Sequence, residues 1–522
     1  MKYPLGIQTF SKVIEGGCVY IDKTALVHRL SQYEACFFLS RPRRFGKSLL
    51  LSTLEAYFRG RRELFSGLAL ERLETCWETY PVLRLDLNNG NYTKNSSELS
   101  SQLNAAIVEW ESKYGLPASN PTDGAGVRFK QTILSLHAQT GKRVVILIDE
   151  YDKPIIANVE HEKEDLQNEM RNILKGFYGT LKTCDEHIRF AMLTGVSRFS
   201  KLSVFSDLNN LTDISMDNTY CDICGITEQE LHHYFDDEVQ RLGEENGMAK
   251  EEAYEELRRM YDGYRFSRQG THVYNPWSVF KSLSNSAFGI GWSSTGTPTF
   301  LVKMLHDRQL DLTVLDRHLV TTEQEMGSFD NTDNTVAALY QTGYLTIKDY
   351  NPRTRLYTLG VPNVEVDCTL NESMLPVYTK MQEVSAGTIT ARLFTAAQTG
   401  DVDTMMETLR GLIASAPMES SDERVLELNY RNLIAIAFKV SGLAVHIEQH
   451  TCVGRIDLAL EADEQVYIFE FKRTTLAAAE HQIESRRYVD AYAADPRQKV
   501  LVAVRLDDTI RNIADWAVIN AS

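Results

Sequence analysis

The sequence predicts a multidomain α/β chain: a helix-flanked parallel sheet first, a helical and winged-helix-like middle, and a smaller α/β block at the end. Three observations carry this. Cys36 to Ser40 is a short apolar run that leads through a loop, 41 to 46, into a helical pattern ended by Gly60. Val144 to Ile148 is an unbroken, largely β-branched run followed by Asp149 and Glu150, as expected of a central parallel strand with carboxylates at its C-terminal edge. Gly454 to Leu460 and Val466 to Lys472 are strand-like runs joined by an acidic turn near Asp463.

A chain of 522 residues exceeds a single core, so several domains are expected, and 43% hydrophobic with 24% charged residues is an ordinary globular composition. No stretch is apolar enough to span a bilayer, and Lys2, Gln8, Ser11, Lys12 and Glu15 interrupt any signal-peptide core. A cytoplasmic protein with no membrane partner is expected. The eight cysteines form no disulfide-like framework, and Cys221 and Cys224, a lone CxxC, read as buried thiols rather than a zinc site. A net charge of −16 argues against a basic surface for duplex binding, although Arg41, Arg43 and Arg44, and Lys472, Arg473, Arg486 and Arg487, are local basic clusters.

The first block, 1–285, alternates strand-like runs at Cys36 to Ser40, Pro81 to Leu87, Val144 to Ile148 and Arg189 to Thr194 with helical patterns. A connector, 286–419, holds a helix through Val336 to Gly343, a hairpin at 344–347 and 355–359, and helices from about Met374 to Ser415. The last block is 420–522.

In Arg41-Pro42-Arg43-Arg44-Phe45-Gly46-Lys47-Ser48 the final three residues fit a phosphate-binding loop, with Arg43, Arg44 and Phe45 completing it. Backbone N–H groups and a helix N-terminus surround phosphate oxygens, the lysine reaches the outer phosphates, and the serine ligates magnesium. Arg41 stands where the pattern has its first glycine, and Pro42 stiffens the loop, so the match is partial. Lys47 is expected at a solvent-facing phosphate site. Asp149 would hold magnesium through water and Glu150 would act as the base on the attacking water, while the bland alternative is a core strand with a solvated acidic turn.

On the C-terminal strand, period-two alternation puts Glu470 and Lys472 on one face and Tyr467, Phe469 and Phe471 on the other. A tight turn at Asp463 would bring Asp457 close to Glu470 or Lys472. The bland alternative is a surface hairpin with a cross-strand ion pair.

The chain resembles the bacterial AAA-ATPase-like family that carries a C-terminal PD-(D/E)XK nuclease-like domain. The resemblance rests on YIDKT at 20–24, RPRRFGKS at 41–48, LIDEYDKP at 147–154, LTGVSRFSKLSVFSDLNNLTDIS at 193–215, YDGYRF at 261–266, YNPWS at 274–278, and GRIDLAL with IFEFK near the end. It implies a P-loop NTPase (AAA/STAND-like) fold that binds ATP, and a restriction-endonuclease-like fold in which Asp457, Glu470 and a backbone carbonyl hold Mg2+ (or Mn2+) while Lys472 orients or activates water. Glu427, Gln482 and Tyr488 match accessory nuclease positions, although an offset of six keeps the last two off one helix face. Arg198 is either a γ-phosphate sensor or an arginine that caps a helix or pairs with an acid. The Tyr274 to Ser278 segment either closes over adenine or packs in a core, and Asp22 is explained as a helix cap. The implied function is nucleotide-gated, metal-dependent cleavage of nucleic acid in defence or mobile-element biology. A regulatory binding switch with an inactive nuclease fold is the alternative, and oligomerisation is compatible with either.

Overall fold

The structure, a computed structural model, describes residues 1–158, 163–198, 210–291, 301–302, 304–305, 315, 319–327, 334–379, 383–416, 423–451 and 454–520. These divide into two compact units, one within Met1–Ser294 and Val320–Asn363, the other within Thr295–Leu319 and Val364–Ser522.

The first unit is built on a parallel five-stranded sheet: β1 (Cys36–Ser40), β2 (Val82–Asp86), β3 (Val144–Asp149), β4 (Ile188–Gly195) and β5 (Leu211–Asp213), in the order β2-β3-β4-β1-β5. The four runs expected from sequence are all strands, and β1 and β3 are buried throughout, which is why they show no polar alternation. The short edge strand β5 is an addition. Parallel register aligns the strand ends, with Asp86 opposite Asp149 and Ser40 opposite Gly195, so polar residues from four strands meet at one edge. Helix α1 (Lys47–Phe58) leaves the β1 loop and buries Leu50, Leu51, Leu54 and Phe58; Gly60, at φ +67, follows its end. Helices α2 (Ser97–Tyr114), α3 (Ala125–Thr140) and α4 (Glu164–Thr183) complete the α/β unit. No helix among the described residues is long and apolar enough to cross a membrane.

The expected helix and hairpin are α5 (Thr335–Thr342), β7 (Thr346–Asn351) and β8 (Leu356–Gly360), with β6 (Leu319–Thr321) alongside β8. Most of 298–318, the opening of the winged-helix-like segment, lies outside the described residues. Gly343 ends α5 at φ +91, and a Cβ there would come within 2.7 Å of Pro42, so the close approach of this helix to the β1 loop requires glycine.

The second unit begins with a helix earlier than expected. Helix α6 (Val364–Thr379) runs through Pro376 because burial of Val366, Leu370, Met374 and Leu375 outweighs the lost hydrogen bond. Helices α7 (Glu383–Thr399), α8 (Val402–Ala414) and α9 (Glu423–Val440) lead to a mixed sheet of β9 (Ala444–Thr451), β10 (Gly454–Glu461), β11 (Gln465–Lys472), β12 (Gln498–Asp507) and β13 (Asn512–Asn520), in the order β13-β12-β11-β10-β9. Helix α10 (Leu476–Ser485) crosses from β11 towards β12, which run parallel.

Arg41 is the fastener of the first unit. At 1% exposure its guanidinium donates to the carbonyls of Ser40 (2.8 Å), Ser215 (2.8 Å) and Tyr220 (3.1 Å) and lies 4.2 Å from the centre of the Phe266 ring. Arg41→Met removes the guanidinium donors to those carbonyls from a buried site, so we expect a loss of about 3 kcal/mol or more in urea unfolding. Arg41→Lys recovers little of this, since an ammonium lacks the planar fork.

Candidate functional site

The first site sits where β1, β3 and β4 end. Gly46 adopts φ +94 and opens α1, accepting the first helical bond from Leu50 N (2.9 Å); open space lies where its Cβ would be. Lys47 is not solvent-facing as expected. It is 4% exposed, because the loop curls over it and its Nζ donates to the carbonyls of Arg41 (3.0 Å) and Pro42 (3.3 Å). Its Nζ also lies 3.6 Å from Glu150 Oε1, which joins the loop to the acidic end of β3. Ser48 is partly exposed in the first turn of α1. Asp149 is buried and accepts from Thr194 Oγ1 (2.7 Å) on β4 and from the N–H of Glu150 (3.1 Å), a residue at φ +49. The loop therefore offers a glycine-opened helix start, a lysine and two acids in one place.

Other loop side chains serve as anchors. Phe45 is buried edge-on against Tyr264 and Phe266, and Arg44 donates to Gly291 O (2.9 Å) while lying 4.4 Å from the centre of the Trp277 ring. Arg43 is partly exposed. Arg198 is held by Asp213, with Nε at 3.0 Å and Nη2 at 2.7 Å from Oδ2, which is the acid-paired geometry of the two readings; residues 199–209, which follow it in the long string, lie outside the described residues. Tyr274 is buried, and Asn275 caps the helix Pro276–Asn285, so this segment packs in the core. Asp22 accepts from Thr24 N (2.8 Å) at a helix start and from Ala69 N (2.7 Å) at another. Cys221 and Cys224 are buried thiols.

Asp152, beyond the strand, escaped the sequence reading. It is buried, and its Oδ2 accepts from Val196 N (3.0 Å), Ser197 N (2.6 Å) and Ser197 Oγ (2.6 Å), tying the ends of β3 and β4 together. Burial, reinforced by the Glu150 charge, pushes its carboxyl up to about 6 despite those donors. The signal was its place in Asp149-Glu150-Tyr151-Asp152, but its partner lies on another strand.

In the second unit, β10 and β11 pair antiparallel with Leu458 opposite Phe469 and turn at Asp463, as expected. Asp457 lies one step beyond the paired residues, and its Oδ2 accepts from Phe471 N (2.9 Å). Glu470 is 0% exposed. Its Oε1 accepts from Lys472 Nζ (2.7 Å), while Oε2 is buried with no hydrogen-bond partner. Burial first, then the Asp457 charge, pushes the Glu470 carboxyl up to about 7, with Lys472 opposing. Three of the expected residues thus come together. Gln482 and Tyr488 also meet, at 3.3 Å: α10 stops at Ser485, and Arg487 at φ +47 turns the chain back. Glu427 falls within α9, and its side chain lies outside the described residues. Glu448, missed from sequence, is a buried acid on β9 that accepts from Arg431 (2.8 Å) and pairs ionically with Arg455 (3.1 Å).

Asp152→Ala strips an acceptor from three donors in the first unit, so urea unfolding is expected to show a loss of about 2–4 kcal/mol. Ser197→Ala removes one donor and is expected to cost about 1 kcal/mol.

Comparison with known proteins agrees with both halves of this geometry. A family described as "Predicted AAA-ATPase" matches residues 4–205, and the "PD-(D/E)XK nuclease superfamily" matches residues 425–516. A curated relative from Azotobacter chroococcum mcd 1, "Uncharacterized protein in vnfD 5'region", is 34% identical over 530 residues, spanning 99% of this chain and 98% of its own length. The parallel sheet with its glycine-opened helix, the paired strands with their acids, the two family matches and the relative that spans 99% of the chain lead to one conclusion: the chain belongs to the AAA-ATPase-like family and carries a C-terminal domain of the PD-(D/E)XK nuclease superfamily.

Proposed function

We propose that this protein binds and hydrolyses ATP in its first unit and uses that nucleotide state to govern a divalent-metal-dependent phosphodiesterase in its second, acting on nucleic acid. The observation that carries the reading is Glu470: a fully buried carboxylate with one unpartnered oxygen, beside Asp457 and a lysine. Burying such an oxygen is costly unless a cation shares it. The donor set fits Mg2+ or Mn2+, which favour hard carboxylate oxygens. Asp457 and Glu470 would hold the metal, which when bound polarises the scissile phosphate and the attacking water. Lys472, fixed on Glu470, orients that water and offsets charge developing on the phosphate. Gln482 and Tyr488 brace the sheet beside them.

In the first unit, the open space at Gly46 and the N–H groups of the loop suit phosphate. Lys47 would exchange the carbonyls of Arg41 and Pro42 for phosphate oxygens. Ser48 and Asp149 suit the Mg2+ that accompanies ATP, and Glu150 accepts a proton from the attacking water. The connector, 286–419, lies between nucleotide binding in 1–285 and cleavage in 420–522. Such a pairing suits defence or mobile-element biology.

Lys47→Ala is expected to abolish ATP binding by calorimetry with the fold retained, and Glu150→Gln to keep binding while turnover falls about 100-fold or more. Equal affinity in the Lys47 variant refutes the loop.

Asp457→Ala is expected to remove divalent-dependent cleavage through lost metal binding. Glu470→Gln is expected to remove cleavage yet raise thermal stability by about 1 kcal/mol or more, because a neutral group replaces a buried charge. Lys472→Ala retains metal binding and slows the reaction. Arg473→Ala, whose guanidinium is paired with Asp508, has a smaller effect. Nucleic-acid binding without cleavage by the parent, under all metals tested, would leave the nucleotide-controlled binding switch instead.

A further inference from the structure

Beside Asp457 and Lys472, the second unit encloses a cavity of about 290 Å³. That is near the small end of ligand pockets, roughly 300 Å³, and is room for one nucleotide unit rather than a stacked pair. Its lining includes the apolar Ile447 and Phe471 and the polar Arg431, Glu448 and Arg455.

Two details of the lining bear on an occupant. Phe471 is only partly buried and lines the space, so its ring is open to it. Glu448 stands at φ +50 within β9, a strained conformation for a non-glycine residue, and its pairs with Arg431 and Arg455 hold it there. The outcome is a carboxylate flanked by guanidinium groups on the cavity wall, presenting acceptor and donor edges together, as base edges require.

We propose that this cavity receives a nucleobase turned out of its stack, so that the second unit acts on single-stranded or locally unpaired nucleic acid. The inference rests on the reading of this unit as acting on nucleic acid. A phosphodiester at Asp457 and Lys472 has its own base within reach of the cavity, because those residues line it too. Phe471 supplies aromatic surface for the base, and Arg431 and Arg455 add positive charge in a chain of net charge −16. A paired duplex must first unstack and unpair the base, so single strands bind better.

The test uses the full chain in Ca2+, with oligonucleotides carrying 2-aminopurine at successive positions, single-stranded and as matched duplexes. Single strands are expected to bind about tenfold or more tightly than duplexes, with a fluorescence change at one position. Ile447→Trp, which fills the cavity, is expected to weaken single-strand binding about tenfold while ATP turnover is unchanged. Phe471→Leu keeps an apolar side chain and removes the ring, and a several-fold weakening is expected even if the bulkier variant does not fold. Equal affinity for duplex and single strand, or parent-like binding by Phe471→Leu, overturns the inference while metal-dependent cleavage keeps the nuclease reading. Adenosine monophosphate competing as strongly as the oligonucleotide assigns the cavity to a free nucleotide and overturns it as well. Failure to bind any nucleic acid removes both.

Discussion

The guanidinium of Arg41 is the point to which the C-terminal edge of the first sheet is referred. It is buried at the start of the phosphate-loop candidate and joins the end of β1 to the carbonyls of Ser215 and Tyr220, far along the chain. Phe266 lies against its face, and Phe266 in turn meets Phe45, from the same loop. The loop is thereby fixed at its start by a polar fan and near its end by aromatic packing, leaving Gly46 as its open position. A glycine in place of Arg41 would give the loop freedom; the arginine exchanges that freedom for attachment to the rest of the unit.

The same edge is closed from the other side by acids. Asp149 takes Thr194, and Asp152 takes Val196 and Ser197, so β3 and β4 end as one piece. Lys47, folded onto its own loop, reaches Glu150 across this edge. A phosphate at the proposed site would compete for the lysine, whose charge also acts on the buried Asp152. The second unit uses a related device at smaller scale: Asp457 is fixed by a backbone N–H of the neighbouring strand, and Glu470 by Lys472, two residues along the same strand. In both places a buried carboxylate stands at or near the C-terminal end of a strand, Asp149 on β3 and Glu470 on β11.

Most of the architecture was legible in the chain itself. Continuous apolar runs marked β1, β3 and β4 because parallel strands buried on both faces need no polar alternation, and period-two alternation in β11 separated Glu470 and Lys472 from Tyr467, Phe469 and Phe471. The turn at Asp463 then sufficed to bring Asp457 to Glu470. These features are set by neighbours within a few residues or across one tight turn.

Other features depended on partners that no local pattern names. Arg198 could face a phosphate or an acid by its sequence, and its pairing with Asp213 comes from β5, a strand that no local pattern names. Lys47 looked solvent-facing until the loop carbonyls enclosed it. Gln482 and Tyr488, six apart and off one helix face, meet because the helix ends between them and Arg487 reverses the chain. Sequence by itself determined where strands, loops and acids lie, since periodicity and turn chemistry act locally. Only the tertiary structure decided which buried charge meets which partner, because desolvation must be answered by groups that long-range packing brings together.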